Sequence, residues 1–146
     1  MQSRKLSLGL LLLSVVVYAA ALVQEEAFCV DGQCANWPGY AILLFGALAL
    51  GDNPANLAWL ANPLLLVAWI ATWLGRRALA VIAGLAALAL AVSFFFAGTV
   101  ITNEAGIANP VTGMRLGYWL WLASAAMTSV AALLAGKPPT NRTREP

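Results

Sequence analysis

The chain has 146 residues, 62% of them hydrophobic and only 10% charged, with eight Lys and Arg against six Asp and Glu and no histidine. So few charges cannot coat a soluble domain, which usually carries about 25% charged residues, and a net charge of +2 is too small to suggest nucleic acid. The lack of histidine removes the commonest general base and metal ligand, and two cysteines are too few for a thiolate-only metal site, so no metal and no cofactor is expected.

The apolar residues fall in long runs with no internal repeat, which points to lipid as the solvent. The first run, 6–23, comes after Arg4 and Lys5 and is broken only by Ser7, Ser14 and Tyr18. At roughly 1.5 Å per residue it just spans a bilayer core. Two readings stand open: a retained transmembrane helix, or a signal peptide cut near Ala19, Ala20 and Ala21. Either way, Gln24 and the loop it opens lie outside. That loop, from Gln24 to Pro38, carries Glu25, Glu26 and Asp31 without a basic residue. Within it, Cys29 and Cys34 bracket an Asp31-Gly32 turn signal that would bring the two sulfurs together.

The second run, 37–51, has no polar face, so it does not suit a surface helix, yet it is short for a full crossing. The breaker Asp52-Asn53-Pro54-Ala55-Asn56 comes next. The third run, 57–75, contains Asn62-Pro63, where a kink is expected, and ends at Arg76 and Arg77. The fourth, 78–98, opens Ala/Leu-rich and closes on Phe94, Phe95 and Phe96. A polar loop from Thr99 to Leu116 leads to the fifth, 117–135. The tail 136–146 is basic and proline-rich, with the composition of a disordered segment.

Basic residues near membrane segments stay in the cytoplasm. If Trp37 to Gly75 makes one net crossing, then Arg4, Lys5, Arg76, Arg77, Lys137, Arg142 and Arg144 all lie inside and only Arg115 outside. Two full crossings there would put Arg76, Arg77 and the tail outside. The charge pattern therefore predicts an all-α polytopic membrane protein: one domain of four transmembrane helices plus one short re-entrant or half-spanning helix, with both termini in the cytoplasm. Five crossings is the alternative. Trp and Tyr favour the interfaces, and this arrangement gathers Trp37, Tyr40, Trp59, Tyr118, Trp119 and Trp121 near the outer one.

No Asp, Glu, Lys, Arg or His stands well inside a run, which argues against a proton relay or an intramembrane hydrolase. Asp52, Asn53, Asn56, Asn62 and Pro63 form the candidate helix-break site: a solute site if exposed backbone coordinates there, a structural turn otherwise. Cys29 and Cys34 suggest a structural disulfide in an oxidising compartment. The four-helix quinone-linked thiol oxidases also carry outer-loop cysteines, but their redox pair is Cys-x-x-Cys with a second outer pair; here the spacing is Cys-x4-Cys and no second pair exists. Small residues recur on the fourth run (Ala83, Gly84, Ala87, Ala91) and the fifth (Ser124, Thr128, Ala131, Ala135), giving faces for close packing within the bundle or against a partner. Asn141-Arg142-Thr143 matches a glycosylation acceptor, a chance match on a cytoplasmic tail.

Ala58-Trp59-Leu60-Ala61-Asn62-Pro63 and Gly117-Tyr118-Trp119-Leu120-Trp121-Leu122-Ala123-Ser124 resemble segments of small bacterial inner-membrane proteins to which no activity is attached. The resemblance covers about the second half of the chain and implies a bacterial inner-membrane location. The leading expectation is a non-enzymatic accessory, assembly or immunity-like factor that sits in the lipid bilayer and packs against another membrane protein or a second copy. A small transporter or channel subunit built on 52–63 is the alternative, and a periplasmic-side thiol redox protein the third.

Overall fold

The structure is a computed structural model and describes residues 2–34, 38–51, 53–101 and 107–135. Asp52, Trp37, Glu104 and the tail 136–146 lie outside the described residues. Helix predominates: α1 (Gln2–Leu22), α2 (Gly39–Phe45), α3 (Ala61–Trp73), α4 (Arg77–Phe95) and α5 (Leu116–Leu134). A 3-10 turn, Gly46–Ala49, extends α2, and a 3-10 helix, Pro54–Leu60, leads into α3. Four helical segments are long and apolar enough to cross a membrane: Ser3–Leu22, Pro54–Trp73, Arg77–Phe95 and Leu116–Leu134.

These four form an antiparallel bundle. α1 packs mainly against α5, and α4 sits between α3 and α5. At one end Ser7 reaches the Ala131 carbonyl and Arg77 the Leu133 carbonyl; this is the arginine end. At the other, the backbone N–H groups of Arg115 and Gly117 bond the carbonyls of Ala27 and Glu26. α2 starts beside the end of α1, where the Gly39 N–H bonds the Gln24 carbonyl. Its 3-10 extension ends beside the next one, where Asn56 bonds the Ala49 carbonyl. Both ends of the short helix thus sit at the same end of the bundle, and it does not traverse it.

The expectation of an all-α chain omits a small sheet. β1 (Phe28–Val30), β2 (Thr99–Ile101) and β3 (Ala108–Met114) pair antiparallel in the order β1-β3-β2, with Cys29 opposite Gly113 and Val100 opposite Asn109. Two of these strands lie in the stretch read as a polar loop. The sheet caps one end of the bundle, hereafter the sheet end, and joins the exit of α1 to the entry of α5.

Pro63 lies inside the segment Pro54–Trp73, just past the change from 3-10 helix to α3 and in the first turn of α3, where a missing N–H is tolerated. The amide N–H it lacks would have faced the carbonyl of Trp59. The Asn62 side chain fills that role, donating to the Trp59 carbonyl at 2.9 Å. α3 ends with Gly75 at φ +72. Gly75 N–H bonds the Thr72 carbonyl and Arg76 N–H the Ala71 carbonyl, a glycine stop that satisfies the last carbonyls.

The packing suits a bilayer. Small residues face inward: Ala61, Ala80, Ala87, Ala91, Ala125 and Ala131 are fully buried. Large apolar side chains such as Leu12, Val16, Leu66, Ile82 and Leu133 face out. Water would penalise so much exposed hydrocarbon; lipid does not, and small inward residues let the helix backbones approach closely.

Candidate functional site

With lipid-like surroundings outside, each polar side chain in the interior needs a partner. Midway along the bundle, Ser14 of α1 lies 2.7 Å from Thr128 Oγ1 and 3.1 Å from Ser124 Oγ. Both hydroxyls reach the Ser124 carbonyl, Thr128 at 2.9 Å and Ser14 at 3.0 Å, and either can donate in the contact between them. The Trp69 indole N–H of α3 donates to Thr128 at 2.8 Å and to Ser14 at 3.2 Å. Ser14, Ser124 and Thr128 are fully buried.

One layer towards the sheet end, the Asn62 side-chain oxygen accepts from the Tyr18 hydroxyl at 3.0 Å and the Trp121 indole N–H at 2.9 Å. The edge of Tyr18 meets Trp69, ring centroids 5.2 Å apart. A ladder of polar groups therefore joins α1, α3 and α5. Among the described residues no buried side-chain nitrogen or oxygen lacks a partner.

The other asparagines of the helix-break site are also bonded, while Asp52 lies outside the described residues. Asn53 caps the 3-10 helix, accepting from Ala55 N–H, and donates to the Thr99 carbonyl; Asn56 donates to the Ala49 carbonyl. Pro63 is exposed. Asn53, Asn56 and Asn62 thus stitch the break to its surroundings through their own hydrogen bonds.

The small-residue faces lie inside the bundle. Gly84 faces Ser129 of α5, Ala87 and Ala91 pack with Ala61 and Leu65 of α3 and Ala125 of α5, and Ser124 and Thr128 belong to the polar ladder.

Beyond Asn62 a cavity of about 530 Å³ opens between α2 with its extension, the 3-10 helix, and the sheet end of the bundle. Its walls include Ile42, Phe45, Leu48, Phe94, Val100 and Tyr118, and none of its described lining residues is charged. The short helix and its extension, which wall it, contain no buried residue. The Trp59 indole N–H, donating to the Leu43 carbonyl at 3.0 Å, pins α2 to the 3-10 helix.

At the sheet end, Cys29 and Cys34 form a disulfide. Val30 and Gln33 exchange both backbone hydrogen bonds around Asp31 (φ 52) and Gly32 (φ 78). This two-residue turn with both φ positive favours Asp-Gly and sets the cysteines side by side. Arg115 lies against the bridge, its Nε 3.1 Å from Cys29 Sγ and a terminal nitrogen 3.1 Å from Cys34 Sγ, with Glu26 3.7 Å away.

No protein family, curated protein or solved structure matches this chain. What it does has to be read from its own geometry.

That geometry brings together residues that the sequence keeps apart. Ser14 and Tyr18 stand out in the sequence only as polar interruptions of the first run, and Trp69 only as the tryptophan set deep in the third. The available signal was the seven-residue step from Ser7 to Ser14, two helical turns on one face, matched by Ser124 and Thr128 one turn apart. The cavity left no such mark, because its walls come from many separate segments. Among the described residues no three of His, Cys, Asp and Glu gather in a way that would hold a metal.

Proposed function

We propose that this chain is a non-enzymatic integral membrane protein, an accessory factor that works by binding another membrane component at the sheet end of its bundle. In this reading four helices cross a bacterial inner membrane and α2 with its extension is re-entrant from outside. Arg4, Lys5, Arg76 and Arg77 then face the cytoplasm and the disulfide the oxidising side. The common placement of Arg77 and the first turns of α1 at the arginine end supports this orientation. The place of α1 as a wall of the bundle supports a retained first helix.

The observation that carries the reading is the closed state of the polar interior. Asn53, Asn56 and Asn62 donate to carbonyls of the chain itself, and the described walls of the cavity beside Asn62 are mostly apolar. A conduit for ions or polar solutes needs groups that replace their hydration; the three asparagine side chains at the break are already engaged. Purified protein in sealed vesicles should leave potassium, chloride and proton permeability at the level of empty vesicles. Flux well above that level, lowered by Asp52→Asn at unchanged stability, would replace this reading with the transporter. A cysteine placed at position 77 in a Cys29→Ser, Cys34→Ser background should resist a membrane-impermeant maleimide in intact cells and label after lysis; labelling in intact cells would invert the proposed orientation.

A thiol redox role has one observation in its favour. The Arg115 guanidinium at both sulfurs would stabilise a thiolate once the bridge is reduced.

A further inference from the structure

We infer that the cavity between α2 and the bundle is a binding site for one acyl chain of a bilayer phospholipid, the headgroup staying outside. This rests on the binding role proposed above and names the chemistry of the component bound.

The volume, about 530 Å³, falls in the range of about 300–1,000 Å³ usual for small-molecule sites. The cavity opens beside the short helix, so what fills it is drawn from the medium around the helices. Water is a poor filler, since a buried water needs two to four polar partners. The five polar side chains lining the cavity, Asn56, Trp59, Asn62, Tyr118 and Trp121, each already hydrogen-bond within the chain. Among the described lining residues none is charged, and so none of them would hold a phosphate, a carboxylate or an ammonium. Hydrocarbon asks for none of these groups.

The wall itself supplies the way in. Gly39–Ala49 has no buried residue and turns Leu44 outward, 66% exposed. It is tied down by the Trp59 and Asn56 hydrogen bonds and by Gly46, which leaves room for the Trp59 ring where any side chain would collide with it. A chain from the surrounding lipid can therefore enter beside the short helix without disturbing the four long ones.

The test uses the full chain in vesicles of phosphatidylethanolamine and phosphatidylglycerol. A small fraction of the phosphatidylethanolamine carries a photoreactive diazirine on one acyl chain. After illumination, mass spectrometry maps the labelled residues. Labelling is expected at Ile42 and Ala55 inside the cavity, as well as at outward residues such as Ile82. Ile42→Trp, which fills the cavity, should cut labelling at Ala55 at least fivefold. Ile82→Trp, the same change on the outer face of α4, should leave it unaltered. Ala55→Phe, read at position 42, repeats the experiment from the opposite wall should Ile42→Trp not fold. Labelling of the wild type confined to outward faces would overturn the site even if neither variant folds, as would cavity labelling that either folded variant leaves unchanged. Ion flux through the same vesicles would count against the binding role itself, whereas silent vesicles with an unlabelled cavity would count against the lipid site alone.

Discussion

The hydroxyl of Ser14 sits 2.7 Å from that of Thr128, 114 residues further along the chain, and this contact ties the first helix to the last at mid-bundle. Because the Trp69 N–H donates to both, removing one hydroxyl leaves it an acceptor. Ser14→Ala and Thr128→Val should each lower stability by about 1 kcal/mol, in keeping with the roughly 0.6–2 kcal/mol of hydrogen bonds within membranes. The double variant should lose more than the sum, since the indole is then stranded. Unfolding in graded sodium dodecyl sulfate reads this directly, and strict additivity would show that the two hydroxyls do not share the indole.

Asn62 should be the more sensitive position. Asn62→Leu removes the acceptor of Tyr18 and Trp121 and the donor that serves the Trp59 carbonyl beside Pro63. Stranding such groups costs about 1–3 kcal/mol. Tyr18→Phe deletes a single donor and leaves Asn62 bonded to Trp121, so it should lose less than half as much. Equal losses for the two variants in the same unfolding assay would contradict the shared acceptor.

Gly84 separates size from chemistry. A methyl group there would stand 3.4 Å from the Ser129 Cα, a contact at the edge of ordinary packing. Gly84→Ala should therefore lie within about 1 kcal/mol of wild type, because the tight contact is offset by a gain in helix propensity of about 1 kcal/mol. Gly84→Leu must push α4 from α5 and should lose about 1–3 kcal/mol. Tolerance of leucine would mean that the two helices do not meet at this depth.

The disulfide closes a very short loop, so its entropic contribution is about 2 kcal/mol at most, and the Asp31-Gly32 turn and the pairing of β1 with β3 already hold its ends. Cys29→Ser with Cys34→Ser should give a folded protein with a slightly lower melting temperature. Two free thiols in protein taken from native membranes, found by mass spectrometry, would refute the bond.

The long helices were legible because each is a run of apolar residues ended by charge, glycine or proline. The expected 6–23, 57–75, 78–98 and 117–135 lie within a few residues of the four membrane-length segments. The cysteine pairing was legible too, since Asp31-Gly32 encodes its turn locally. The sheet was not. β1 and β2 are three residues each, too short to display alternation, and β1 pairs with a strand about 80 positions away, as Cys29 does with Gly113. Pro63 was legible as an interruption of the third run, but the change from 3-10 helix to α3 before it and the Asn62 bond that replaces its missing N–H were not. The functions of Ser14 and Asn62 could not be read from their own surroundings in the chain, because their partners lie on other helices.

The pairing of α1 with α5 imposes an order on biosynthesis. A chain emerges from its N-terminus, so α1, with Ser7 and Ser14, is made long before the α5 residues that receive their hydroxyls. α3 and α4, joined by the tight turn at Gly75, meet as soon as the second of them is made. Until α5 arrives, then, the first helix has only the Tyr18–Asn62 and Ser14–Trp69 hydrogen bonds to hold it against the finished hairpin. The last nineteen-residue helix is the piece that closes the bundle.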